Sequence, residues 1–170
     1  MARNADGVGC SSSSSRSTKK WKYHVFLSFR GEDTRKNFTD HLYAALIRKG
    51  LKTFRDDEEL ERGQSIQPRL LQAIEESRSA IVVLSPNYAS STWCLDELQK
   101  IIHLKEESSL QVFPIFYGVD PSDVKKQKGS FAEAFKNHEE SSTQDKMKVQ
   151  GWRDALKQVA TISGWDSRNR

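Results

Sequence analysis

Ala80-Ile81-Val82-Val83-Leu84 is an uninterrupted apolar run, and such a run without alternation belongs where a parallel sheet is covered by helices on both faces. Pro86 ends it. Ser90 and Ser91 follow, and their short hydroxyl side chains suit the cap of a helix that continues to about Glu107. At about 100° per residue, Cys94, Leu95, Leu98, Ile101 and Ile102 of that helix fall on one core-facing arc. Two acids separate on it. Asp96 projects nearly opposite the centre of the arc and reads as a solvated charge. Glu97 lies on the arc's edge, one turn after Trp93, and reads as half-buried beside an indole. A carboxylate so placed is a candidate functional group, with an ordinary surface acid as the alternative.

The rest of the body alternates in the same way. Tyr23 to Phe29, Leu51 to Phe54, Ala80 to Leu84 and Val112 to Tyr117 read as strands. Thr34 to Lys49, Ser65 to Ser77, the helix through Glu97, Phe131 to His138 and Gly151 to Ile162 read as helices. This order predicts βαβ units with right-handed crossovers, hence an α/β fold with a mostly parallel sheet flanked by helices. Four strands are clear, and a fifth is expected in the less regular part after Pro121.

Charge is distributed unevenly. The chain of 170 residues has a formal net charge of +4. Arg3, Arg16, Lys19, Lys20 and Lys22, against Asp6 alone, account for it, and the remainder is formally neutral. A body-wide electrostatic drive towards nucleic acid is therefore disfavoured. Met1 to about Lys20, with serines at 11–15 and almost no large apolar residue, is expected to form a disordered tail. No apolar leader and no membrane-length run is present. Cys10 in the tail and Cys94 on the core arc make no disulfide framework, which fits a reducing intracellular setting.

Ligands of open parallel sheets bind beyond the carboxyl ends of the strands. After the first strand stands Arg30-Gly31-Glu32-Asp33-Thr34-Arg35-Lys36, where a glycine, a helix start and three cations suit a phosphate. The residues alone leave open a plain βα loop with Asp33 or Thr34 as helix cap. A charged loop, Arg55 to Gly63, is long enough to act as a lid, or to be a solvated connection. Several chemistries lack their signatures. There is no G-x-G-x-x-G or P-loop pattern, and no aspartate closes the third strand as a phosphoacceptor. The four histidines have no metal-ligand spacing, so no metal is expected, and no elbow motif supports a serine triad.

The segments Tyr23-His24-Val25-Phe26-Leu27-Ser28-Phe29-Arg30-Gly31-Glu32-Asp33-Thr34-Arg35, Thr53-Phe54-Arg55-Asp56-Asp57, Ala73-Ile74-Glu75-Glu76-Ser77, Ser91-Thr92-Trp93-Cys94-Leu95-Asp96-Glu97-Leu98 and Pro114-Ile115-Phe116-Tyr117-Gly118-Val119-Asp120-Pro121-Ser122 resemble, in order, a Toll/interleukin-1 receptor (TIR) domain. The form is that of plant intracellular immune receptors. The resemblance implies a flavodoxin-like parallel sheet of four to five strands spanning residues 21–166, with 167–170 a truncation point. It also implies an NAD(P)+ nucleosidase that works when self-associated, with no prosthetic group and with NAD+ or NADP+ as substrate.

Carried over by position, the resemblance makes Glu97 the catalytic acid and Trp93 a pocket aromatic. It makes Arg30, Gly31, Glu32, Asp33, Thr34, Arg35 and Lys36 the nucleotide-contacting loop, and Arg55 to Gly63 the mobile loop beside it, with Gly63 among the substrate contacts. For homotypic TIR–TIR contact it points to Asp40 and His41 on one helix and to Gly151, Trp152 and Gly164 around the last. Without it, those positions read as core packing and a solvated histidine. Other TIR receptors are implied as further partners, and the cytoplasm, with the nucleus second, as the location. The competing reading is an inactive TIR adaptor that acts through protein contact alone.

Overall fold

The computed structural model describes residues 21–55, 66, 68–141 and 145–169. The expected tail with Cys10, the charged loop from Asp56 to Gly63, and Ser65 at the expected helix start lie outside the described residues.

Strands β1 (Tyr23–Ser28), β2 (Thr53–Arg55), β3 (Ser77–Leu84), β4 (Gln111–Phe116) and β5 (Trp165–Asp166) form one sheet in the order β2-β1-β3-β4-β5. Every pairing is parallel, in the flavodoxin-like order. From β1 the chain moves outward to β2, then crosses back over β1 to β3 and continues to the other edge. The reversal leaves a crevice between the carboxyl ends of β1 and β3. The anticipated fifth strand is β5, whose Trp165 pairs with Ile115 of β4. Gly164 makes the approach possible, since a Cβ there would sit 2.2 Å from the Pro114 carbonyl oxygen.

The helices are α1 (Gly31–Thr34), α2 (Asp40–Arg48), α3 (Pro68–Glu75), α4 (Thr92–Ser108), α5 (Pro121–Lys126), α6 (Ser130–Glu140) and α7 (Lys146–Thr161). Between α1 and α2, Arg35–Thr39 forms a π-helical turn, so the single helix expected from Thr34 is widened at its start. Inside that turn the Thr34 and Thr39 hydroxyls meet at 2.7 Å, both buried. α4 starts where a serine cap was expected, with Ser91 Oγ accepting from the Cys94 N–H. β3 begins at Ser77, three residues before the apolar run, because its small polar residues find carbonyl acceptors. Ser77 Oγ donates to the Ala73 carbonyl and Ser79 Oγ to the His24 carbonyl. α7 begins at Lys146, earlier than Gly151, because Asp145 caps it by accepting from the Met147 N–H. Gly151 is therefore inside the helix and not at its end.

The sheet's two faces differ. On one, Phe26, Val82, Leu84 and Phe116 pack against α3, α4, α6 and α7 in a continuous core that includes Leu98, Phe135, Trp152 and Leu156. The other carries a smaller cluster of Val25, Leu27, Phe29 and Val83 under Phe38, Leu42, Tyr43 and Leu46. Towards β4 and β5 that cover runs out, and Phe113 and Trp165 are 50% and 52% exposed.

Candidate active site at the carboxyl edge of the sheet

Ser28 ends β1 two residues after Phe26 and therefore points to the α4 side. Tyr88 lies in a 3-10 turn, Tyr88–Ser90, that follows Ser85-Pro86-Asn87 at the end of β3. Both are fully buried. They converge on Glu97, which is 7% exposed and so more deeply set than the half-buried acid expected. Ser28 Oγ donates to Glu97 Oε1 at 2.8 Å and lies 2.8 Å from the Tyr88 hydroxyl, which is also within hydrogen-bond reach of the Cys94 carbonyl at 3.0 Å. A carboxylate this deep is tolerable because it is hydrogen-bonded.

The titrating neighbours reflect this depth. Burial, followed by the charges of Cys94 and Glu97, pushes Tyr88 well above its usual 10, against a small opposing effect of the Ser28 hydrogen bond. Burial, then Glu97, pushes the Cys94 thiol up to about 12, and the Ser91 bond and Arg30 offset this only partly. Cys94 is thus a neutral thiol, its Sγ 3.5 Å from the Phe29 carbonyl, and not a nucleophile.

The basic loop divides into two groups. Asp33 is turned inward: Ser85 Oγ donates to its Oδ2 at 2.6 Å, and the Asn87 N–H and side-chain amide donate at 3.0 and 3.2 Å. Thr34 is buried with Thr39. Asp33 joins the loop after β1 to the loop after β3, while Thr34 braces the first loop on itself. Arg30, Gly31, Glu32, Arg35 and Lys36 stay at the surface or half-buried. Arg30 pairs with Glu32 at 3.0 Å, while its buried Nε has no hydrogen-bond partner among the described residues. The Arg35 guanidinium packs over Phe29 and so close to Gly31 that an added Cβ would lie 2.8 Å from its Nη2. Trp93, one turn before Glu97, is buried, and its indole N–H likewise lacks a partner among the described residues.

Asp96 corrects the expectation of a solvated charge. Its side chain is only 11% exposed, Trp152 Nε1 donates to its Oδ1 at 3.0 Å, and Lys148 Nζ approaches to 3.6 Å. It holds α7 to α4. Of the positions implied for self-association, Trp152 is fully buried in this contact, and Gly151 faces Gln99, whose Nε2 would lie 2.3 Å from an added Cβ. Gly164 packs on Pro114. His41 is exposed, and Asp40 is exposed but paired with Arg55, whose guanidinium also lies over the Tyr43 ring.

A groove of about 420 Å³ between α3, α4 and α7, lined by Leu71, Asp96, Lys100, His103 and Lys148, does not reach Glu97. Its lysines are already engaged, Lys100 with Glu75 at 2.7 Å and Lys148 with Asp96. The crevice, with its buried carboxylate and two unpartnered donors, has the stronger chemistry. Among the described residues no group of side chains is arranged to hold a metal ion, and no helix is long and apolar enough to cross a membrane.

Ser28, Tyr88, Ser85 and Asn87 were not picked out from the sequence. The available signal was a serine ending an apolar strand and a tyrosine just after Pro86, two hydroxyls in otherwise apolar surroundings.

Comparison with known proteins gives this arrangement a family. The chain is 57% identical over 166 residues to disease resistance protein RPV1 of Vitis rotundifolia, covering 97% of this chain and 12% of that protein. It is 54% identical over 158 residues to the TMV resistance protein N of Nicotiana glutinosa, covering 92% and 14%. The chain thus spans about an eighth of the length of these relatives. Among solved structures, the TIR domains of the activated Roq1 resistosome, which directly recognises the pathogen effector XopQ, match with a TM-score of 0.78 and 58% identity. That match covers 87% of this chain and 89% of that one. The TIR domain family model matches residues 22–170, and the chain belongs to the TIR domain family.

Proposed function

We propose that this domain is a self-associating NAD(P)+ nucleosidase that makes immune or cell-death signals inside the plant cell. The observation that carries the reading is the placement of Glu97, a buried carboxylate held by Ser28 at the crevice where the strand order reverses.

One carboxylate suffices for this chemistry. Glycoside hydrolysis ordinarily needs a second acid to protonate the leaving oxygen. Nicotinamide leaves from a cationic ring nitrogen: the bond between ribose C1′ and that nitrogen breaks, the electron pair goes to the ring, and a neutral molecule departs. Water then adds to C1′ and loses a proton. The remaining task is to stabilise an oxocarbenium-like ribose, which Glu97 does by charge and by accepting from ribose hydroxyls. Burial strengthens that attraction. Arg30 and Arg35 hold the pyrophosphate or a 2′-phosphate, and the unpartnered N–H groups of Arg30 and Trp93 supply donors for the nucleotide.

On this reading the domain works in the cytoplasm or nucleus, in assemblies with its own kind and with other TIR receptors, and likeness to resistance proteins and to the TIR domains of a resistosome supports it. A catalytically inactive adaptor is the second reading, favoured by one observation: Glu97 already accepts a buried hydrogen bond, as a structural acid would. Nicotinamide release from NAD+ at high protein concentration, comparing the native chain with folded Glu97→Gln, decides. Turnover by the native chain alone supports the nucleosidase, and no turnover by either, even when crowded into assemblies, supports the adaptor.

A further inference from the structure

Three short contacts follow one another from Glu97: Oε1 to Ser28 Oγ, Ser28 Oγ to Tyr88 Oη, and Tyr88 Oη to the Cys94 carbonyl, at 2.8, 2.8 and 3.0 Å. Each hydrogen bond needs its own proton, and the two hydroxyls own one each. With Glu97 charged, only two of the three contacts are hydrogen bonds at any moment. Ser28 donates to the carboxylate, so the choice belongs to Tyr88. It gives its proton either to the Cys94 carbonyl or to Ser28. The first choice leaves two hydroxyl oxygens 2.8 Å apart with no proton between them. The second aligns both O–H dipoles towards Glu97, and the Cys94 carbonyl, inside α4, retains the helix's own N–H donor.

We propose that Ser28 and Tyr88 are positioning residues for Glu97, forming a hydroxyl relay in which Tyr88 turns its proton towards Ser28 while the carboxylate is charged. The relay fixes the orientation of the acid as well as its burial. Its parts come from β1, the turn after β3 and α4, so it joins the three elements that meet at the crevice. The Cys94 thiol does not compete, since it is directed at the Phe29 carbonyl. Two fully buried hydroxyls that served only to fill space would be better replaced by apolar groups of the same shape.

This inference rests on Glu97 being the reacting carboxylate, and the test keeps the two claims apart. In the full chain, Tyr88→Phe keeps the ring and Ser28→Ala nearly keeps the volume, so both are expected to fold. Nicotinamide release should show kcat lower by about tenfold in Tyr88→Phe and by more in Ser28→Ala, with KM within about twofold. Independently of turnover, the buried Tyr88 hydroxyl proton should give a slowly exchanging NMR resonance that moves in Ser28→Ala and in Glu97→Gln. Native kcat in both folded variants overturns the positioning role. If the native chain does not cleave NAD+, the nucleosidase reading falls, and the resonance still decides the relay: unmoved in both variants, it overturns the proposal.

Discussion

Asp96 and Glu97 are consecutive on α4, and the turn of about 100° between them sends them to different parts of the molecule. Asp96 meets a neighbouring helix, where the Trp152 N–H and the Lys148 ammonium reach it from α7. Glu97 meets the end of a strand, where a serine hydroxyl reaches it from β1. Both acids are mostly buried and both are satisfied, so burial does not distinguish them. Their partners do. An indole N–H on a fully buried side chain can point only one way, and it makes Asp96 a clamp. A hydroxyl beside a second hydroxyl can change partners, and the crevice above is lined by cations. An acid there is held without being used up.

Removing the clamp from the α7 side should have the largest effect. Trp152→Ala leaves Glu97 and its hydroxyls untouched but empties the largest fully buried side chain, and it should destabilise the fold by about 3–5 kcal/mol in urea or thermal unfolding. A loss below about 1 kcal/mol would mean that α7 is not held through this contact. Next comes Glu97→Gln, which keeps an acceptor for Ser28 but removes the charge. Nicotinamide release should fall by about 10²–10³-fold, some 2.7–4 kcal/mol of transition-state stabilisation, with unfolding little changed. Equal loss of turnover and of folded protein would collapse the contrast with Asp96. Asp96→Ala should do the reverse: the Trp152 N–H is stranded, stability drops by about 1–3 kcal/mol, and release per folded molecule stays native.

That contrast also marks how far the sequence could be read. The helical arc of α4 was legible because its period is a property of the residues themselves, and the same holds for the apolar run of β3 and the serine that caps α4. The angle assigned to Asp96 was right, and its solvation was not, because Trp152 arrives from 56 residues further on and periodicity carries no information about such a neighbour. Gly151 read as a helix end because glycine breaks helices. It lies inside α7, where the lack of a side chain admits Gln99. Asp33 read as part of a ligand loop or as a cap, whereas its oxygens are taken by Ser85 and Asn87, again a pairing across the strand ends. Ser28 and Tyr88 carry no charge to mark them in the sequence, and a hydroxyl in an apolar setting signals a hydrogen bond without saying to whom. Local order was written in the sequence, and the assignment of polar partners needed the fold.

The smallest effect is an electrostatic one that Glu97 should show and Asp96 should not. The Cys94 thiol, pushed up to about 12 by burial first and Glu97 second, keeps its proton in the folded chain, while in the unfolded chain it titrates near 9. Between those values the unfolded state binds fewer protons than the folded one, so stability falls as pH rises, by about 1.4 kcal/mol per unit for this group. The contribution is fully present below pH 9 and is lost by about pH 12. Tyr88, also raised, adds a fall in the same direction that sets in on approach to its ordinary 10, so between pH 9 and 10 the thiol carries the larger share of the slope. Unfolding measured there should lose most of its downward slope in Cys94→Ala. Glu97→Gln removes the second cause of the raised thiol and leaves the first, so the folded titration should move down by less than burial had moved it up. Iodoacetamide labelling of folded Cys94 should then begin at a lower pH. Asp96→Asn, which changes a carboxylate turned towards Trp152 and Lys148, should leave the labelling profile where it was. If both amide variants shift it alike, the thiol is responding to a general loss of negative charge on α4, and the separation of the two acids fails at the electrostatic level.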